Sequence, residues 1–127
     1  MSNYDLEEIK LIKAQIILSV LTIITVLISL ELSFNEILKL SKSQVFFKNK
    51  IQKNILIFNR ILALFIALGF LYINYVDRNI KSKYINDNLK DANLQISASA
   101  LTVIASIIVL FTSFSSEEEI GIENPEL

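Results

Sequence analysis

Neither cysteine nor histidine occurs in this chain of 127 residues. The first absence excludes thiol nucleophiles, disulfides and zinc sites of the usual Cys/His kind. It leaves no signature of redox compartment and no residue to prenylate or palmitoylate, and Ser2 stands where myristoylation needs glycine. The second absence removes the only side chain that titrates near neutrality without perturbation. Acid–base chemistry would fall to a perturbed Glu, Asp, Lys or Tyr, and no nucleophile–base pair can be assembled at a plausible depth. The chain reads as a non-enzyme, with no cofactor and no metal.

Glycine occurs only at 69 and 121, and proline only at 125. Two glycines so far apart cannot build a phosphate-cradling loop of the G-x-x-x-x-G-K or G-x-G-x-x-G type. So few helix breakers predict long, uninterrupted helices joined by short turns. They argue against the broken half-helices from which many transporters build their sites.

What fills the chain is uncharged sequence, in runs at 14–30, 61–76 and 92–116. A bilayer-spanning helix needs roughly 20 mostly apolar residues at about 1.5 Å rise each. Each run, alone or with its flanks, meets that length. The chain is 53% apolar with a mean hydropathy of +0.52, above an ordinary soluble domain. The reading is an all-α integral membrane protein of one domain, with spans at about 10–32, 55–76 and 93–115. A basic loop (34–54), a polar loop (77–92) and an acidic, disordered tail (116–127) complete it. The opening is acidic (Asp5, Glu7, Glu8) and no small-residue cleavage site follows the first run, so that run reads as a permanent span rather than a signal peptide.

The first helix is expected to begin near residues 3–5, with Asp5 and Glu8 spaced as a cap and its third-position carboxylate, and to run to about Leu40. Ser41, Lys42 and Ser43 form the best turn candidate. Ser41 and Gln44 have capping-box spacing, so a second helix is expected to start there. The first two helices then form a long αα-hairpin extending beyond the bilayer. The second helix is expected to reach about Val76, where Tyr72 and Tyr75 suit an aromatic belt. Ile80 and Tyr84, four apart, allow a further helical turn or two. Asn86, Asp87 and Asn88 are the expected cap of the third helix, which should end near 114–116.

Polar residues inside the spans are the candidates for function. Ser19, Thr22, Thr25 and Ser29 share roughly one face of the first helix. Asn59, Ala63, Ala67 and Asn74 stripe the second, and Ala98, Thr102, Ala105 and Ser106 the third. In lipid, such stripes mark close helix packing and interhelical hydrogen bonds; in several copies they would line a pore. Arg60 either snorkels to the interface or pairs with Glu31 of the first helix at a similar depth. Asn74 lies deep enough to want a partner. Lys39, Lys42, Lys48, Lys50 and Lys53 interleave with apolar residues in the first loop; they mark a water-exposed loop or contact anionic lipid headgroups. Nothing in the sequence supports nucleic-acid binding or a small-molecule substrate. Glu117, Glu118 and Glu119 have neither the spacing nor the rigidity of a calcium loop.

Three spans put the termini on opposite sides. Lys10, Lys13, Arg78, Lys81, Lys83 and Lys90 fall on one side; Lys39, Lys42, Lys48, Lys50, Lys53 and Arg60 fall on the other, so the positive-inside rule ties. The dense first-loop cluster and the acidic start favour an N-terminus outside and a cytoplasmic C-terminus, in the cell (inner or plasma) membrane. Three spans enclose little interior of their own, so the partners expected are the lipid bilayer and either further copies or another membrane protein. The leading function is an accessory, regulatory or immunity-type subunit acting by helix association. In length and topology the chain resembles three-span phage holins, a resemblance that implies a self-assembling pore, and a membrane-disrupting effector of bacterial defence belongs to the same class; its acidic tail departs from the holins' basic one. A small ion-coupled transporter is third, with Glu31 as the sole candidate carboxylate. The abundance of Ile, Lys and Asn hints at a bacterial source.

Overall fold

A computed structural model of the chain describes residues 2–84 and 89–123, with side chains described as far as residue 114. It holds three α-helices: α1 (Asn3–Leu40), α2 (Asn49–Tyr84) and α3 (Lys90–Glu123). Each is long and apolar enough to cross a membrane. At about 1.5 Å per residue, α1 measures roughly 57 Å, well beyond the ~30 Å of a hydrocarbon core.

The caps explain where the helices begin and end. Ser2, rather than Asp5, caps α1: its Oγ accepts the Asp5 N–H at 3.1 Å, and its carbonyl accepts from Leu6 at 3.0 Å. Asp5 sits in the first turn, where a carboxylate suits the helix dipole. At the other end the Ser43 N–H reaches the Leu38 carbonyl (2.8 Å) and the Lys42 N–H reaches Lys39 (3.1 Å), a Schellman pair of bonds. The motif places Lys42 at φ 59°, the left-handed position that glycine usually fills. The turn therefore falls at 41–42, as its residues predict.

The second helix does not begin there. Residues 43–48 are non-helical and α2 starts at Asn49. The capping-box spacing at Ser41 and Gln44 loses to tertiary bonds: Asn35 of α1 takes both the N–H and the carbonyl of Phe47 and holds this stretch against α1. At its far end α2 continues through Ile80 to Tyr84, supported by an Asp77–Lys81 ion pair of 3.0 Å one turn apart. The expected cap at 86–88 lies outside the described residues. The helical backbone of α3 passes the expected end at 114–116 and reaches Glu123, since nothing between Ser116 and Gly121 opposes a helix. The tail beyond Glu123 lies outside the described residues.

α2 is the central helix. It packs against α1 on one side and α3 on the other, while α1 and α3 do not pack on each other among the described residues. Leu32, Ile66, Ala67, Ile73, Ile80, Ala92 and Val103 are buried. Gly69 lets α1 close on α2: a Cβ there would lie 2.9 Å from a methyl of Leu18. The most apolar stretches nevertheless face outward. Of the most apolar 18-residue window in each helix, 0% is buried in α1, 17% in α2 and 6% in α3. A water-soluble bundle would turn those stretches inward.

Candidate functional site

The polar side chains of the bundle gather at three levels along α2. At the loop end, Asn35 is wholly buried. Its Nδ2 donates to the Phe47 carbonyl (3.1 Å) and to Gln52 Oε1 (2.8 Å), and its Oδ1 accepts the Phe47 N–H (2.9 Å). Gln52 in turn donates to Glu36 Oε2 at 2.9 Å. Lys39 donates to Asn49 Oδ1 (2.7 Å) and lies 3.5 Å from Glu36. One amide thus ties the last turns of α1 to the connection and to the first turn of α2, with its donors and its acceptor in use.

The middle level lies in the α1–α2 seam. Asn59 is 3% exposed and donates to the Thr25 carbonyl (3.3 Å) and to Ser29 Oγ (3.0 Å). Thr25 is buried and turns its own hydroxyl back to the Thr22 carbonyl at 2.7 Å. Asn59 Oδ1 and Arg60 Nε are buried, and neither has a partner among the described residues. Beside them opens a cleft of about 280 Å³ whose wall includes Ser29, Ser33, Asn59, Arg60 and Ala63. Arg60 and Glu31 form no ion pair among the described residues. Because Asn59 faces Thr25 and Ser29 in an antiparallel pair, Arg60 lies nearer the middle of the bundle than Glu31, which is exposed.

The third level lies where the start of α1, the end of α2 and the start of α3 meet. Asn74 donates to Ser99 Oγ, joining α2 to α3. Arg78 Nε donates to Asn93 Oδ1 at 2.6 Å, and the rings of Tyr4 and Tyr84 meet edge to face at 5.9 Å. Two cavities of about 260 and 330 Å³ share Gln15, Asn74 and Gln95 in their walls. The first is rimmed by Glu8, Asp77 and Lys81. Burial raises the Glu8 carboxyl above its ordinary range, and a hydrogen bond and negative charge from Asp77 raise it further. The Asp77 hydrogen bond holds the Lys81 ammonium above its usual value. This end therefore groups polar and charged side chains around two cavities, with the Asn74–Ser99 bond in the wall of one of them.

Of the stripes read from sequence, Thr25, Ser29, Asn59 and Ala63 meet in the α1–α2 seam, and Ala67, Asn74, Ala98 and Thr102 around the α2–α3 cavity. Ser19, Thr22, Ala105 and Ser106 join neither. Thr22 and Thr102 are exposed and bond back to Leu18 (2.8 Å) and Ala98 (3.0 Å) of their own helices. Among the loop lysines, Lys39 enters the Asn35 network, Lys42, Lys48 and Lys50 are exposed, and Lys53 is half-buried. Asn35, Gln52, Ser99 and the Glu8–Asp77 pair escape the sequence reading, because their partners lie on other helices. No group of three metal-ligating side chains occurs among the described residues. Compared with protein-family models, curated proteins and solved structures, the chain matches none of them.

Proposed function

We propose that this chain is a small multi-pass protein of the cell membrane that acts by helix association, as an accessory, regulatory or immunity-type subunit. The observation that carries the reading is the outward placement of the most apolar windows of all three helices. Exposed Ile17, Phe65, Leu101 and Phe111 need lipid or other helices as neighbours. Among the described residues α1 and α3 each pack on α2 and not on each other, which leaves long faces for such partners. The N-terminus lies outside and the C-terminus in the cytoplasm, on the strength of the first-loop lysines and the acidic start.

A pore of several copies draws less support from the hydroxyl stripes. Thr22, Thr102 and Thr112 already satisfy their hydroxyls on their own helix carbonyls and do not call for a water-filled channel. An ion-coupled transporter would rest on Glu31, which lies outside the seam. The test begins with alkaline washing of membranes from cells expressing the chain: it stays in the pellet and is released only by detergent. Size-exclusion chromatography with light scattering in mild detergent then gives a complex larger than one chain. A clean monomer without partners sinks the association reading, and a membrane-potential dye that reports depolarisation on induction replaces it with the pore.

A further inference from the structure

The α1–α2 cleft has an unusual set of groups for a place flanked by apolar helix surface. Its lining includes Arg60, Ser29, Ser33 and Asn59, and the Asn59 Oδ1 and Arg60 Nε atoms beneath it are buried without a partner among the described residues. No carboxylate is among its described lining residues. Asn59 is held by its two donated bonds, so its oxygen cannot turn away to find a partner elsewhere. Arg60 stands seven positions after Lys53, about 10 Å along the helix, and 17 before Asp77, about 25 Å. In a bilayer that is one to two turns below the headgroups on the loop side, within reach of a snorkelling arginine.

Resting on the membrane reading above, we infer that the α1–α2 cleft binds an anionic phospholipid with a hydroxyl-bearing headgroup. The phosphate accepts from the Arg60 guanidinium and the headgroup hydroxyl donates to Asn59 Oδ1. A phosphate supplies the missing counter-charge in a geometry that guanidinium matches with paired N–H donors. The hydroxyl supplies the missing donor, which a bare anion cannot. The cleft lies among exposed apolar residues such as Val26, Leu30 and Phe58, so acyl chains have a surface to follow. A carboxylate on a partner helix would serve Arg60 but, when ionised, would offer Asn59 no proton.

The experiment uses the full chain in mild detergent or nanodiscs, with lipid retention counted by native mass spectrometry. Three probes are compared: phosphatidylglycerol (anionic, with hydroxyls), phosphatidylethanol (anionic, without) and phosphatidylcholine. Wild type retains phosphatidylglycerol about tenfold over phosphatidylcholine, as one charge-assisted contact allows. It retains it about threefold over phosphatidylethanol, the worth of one interhelical-type hydrogen bond in lipid. Arg60→Gln cuts the first preference to the roughly threefold that the hydroxyl supplies and Asn59→Leu removes the second, while the triple variant Lys42→Gln, Lys48→Gln, Lys50→Gln keeps both. Should Arg60→Gln fail to fold, the wild-type ratios alone decide. Equal retention of the three lipids, displacement by inorganic phosphate, or a dimer in pure phosphatidylcholine that dissociates with Arg60→Gln would overturn the site. In those outcomes the chain still sediments with membranes; if it dissolves without detergent, the membrane reading falls first.

Discussion

Asn35 and Asn59 sit on the same helix–helix interface, both almost without exposed surface, and they differ in how far their amides are satisfied. Asn35 uses its donors and its acceptor, against the backbone of the connection and the side chain of Gln52. Asn59 uses its donors and leaves its oxygen unpaired, and one of its acceptors is a helix carbonyl that already serves its own helix. The difference follows from what surrounds them. Around Asn35 the chain has left helical geometry, so Phe47 has a free N–H and carbonyl that must find partners. Around Asn59 both helices are continuous and satisfy their own backbone. A buried asparagine is thus a structural clasp in one place and a poised, half-used group in the other.

The sharpest way to break the comparison is to truncate each residue in turn. Asn35→Ala orphans the Phe47 N–H and carbonyl and releases Gln52, with an expected loss of about 3 kcal/mol. Reversible unfolding in mixed micelles, followed by far-UV circular dichroism, measures it. Asn59→Leu removes a polar group along with its unmet oxygen and is expected to change stability by about 1 kcal/mol or less in either direction, the scale of interhelical hydrogen bonds in lipid. Equal losses at the two positions would mean that satisfaction of the amide is not what separates them. A double-mutant cycle of Asn35→Ala with Gln52→Ala should show coupling of about 1 kcal/mol, since the two share a bond.

That contrast also shows how far the sequence reaches. The three helices, and the lipid-length runs within them, follow from apolar runs uninterrupted by glycine or proline. The turn at 41–42 is legible from Ser41, Lys42 and Ser43, and Asn74 announces its need for a partner. Its partner, Ser99, does not announce itself. The start of α2 is misread because capping-box spacing is local, whereas Phe47 is claimed by a residue twelve positions upstream. Glu31 and Arg60 look paired when depth is counted along each helix; counting fixes neither the register nor the rotation that sets them apart.

Lys42 offers a smaller test, confined to the clasp end. At φ 59° a side chain strains the backbone, and glycine does not. Lys42→Gly should stabilise the hairpin by about 0.5–1 kcal/mol in the same micelle assay. The gain should disappear in the Asn35→Ala background if the clasp is what holds the chain in that turn; a gain of equal size in both backgrounds would show that the turn stands without it.

The opposite end of the α1–α2 pair should respond to protons through Glu8, with the smallest effect of all because it opens to water. Glu8 holds its proton above the ordinary carboxylate range through burial and through Asp77. The folded state therefore binds more protons than the unfolded chain as pH climbs from about 4 towards Glu8's raised value, and stability falls across that window. This is opposite in sign to a salt-bridged carboxylate, which loses stability on acidification. Lys81 contributes nothing to this slope: its raised value means its contribution stays complete until pH passes the ordinary lysine range and is then lost. The groups facing Glu8 are Tyr4 of α1 and Asp77 and Lys81 of α2. Glu8→Gln cannot ionise and should flatten the slope above about pH 4, leaving stability on the alkaline side of that window no lower than wild type. Hydrogen exchange should locate the change in the first turns of α1 and the last of α2, with residues 35–52 unmoved. A slope that persists in Glu8→Gln, or that spreads to the loop end, would show that the two ends of the hairpin are not independent.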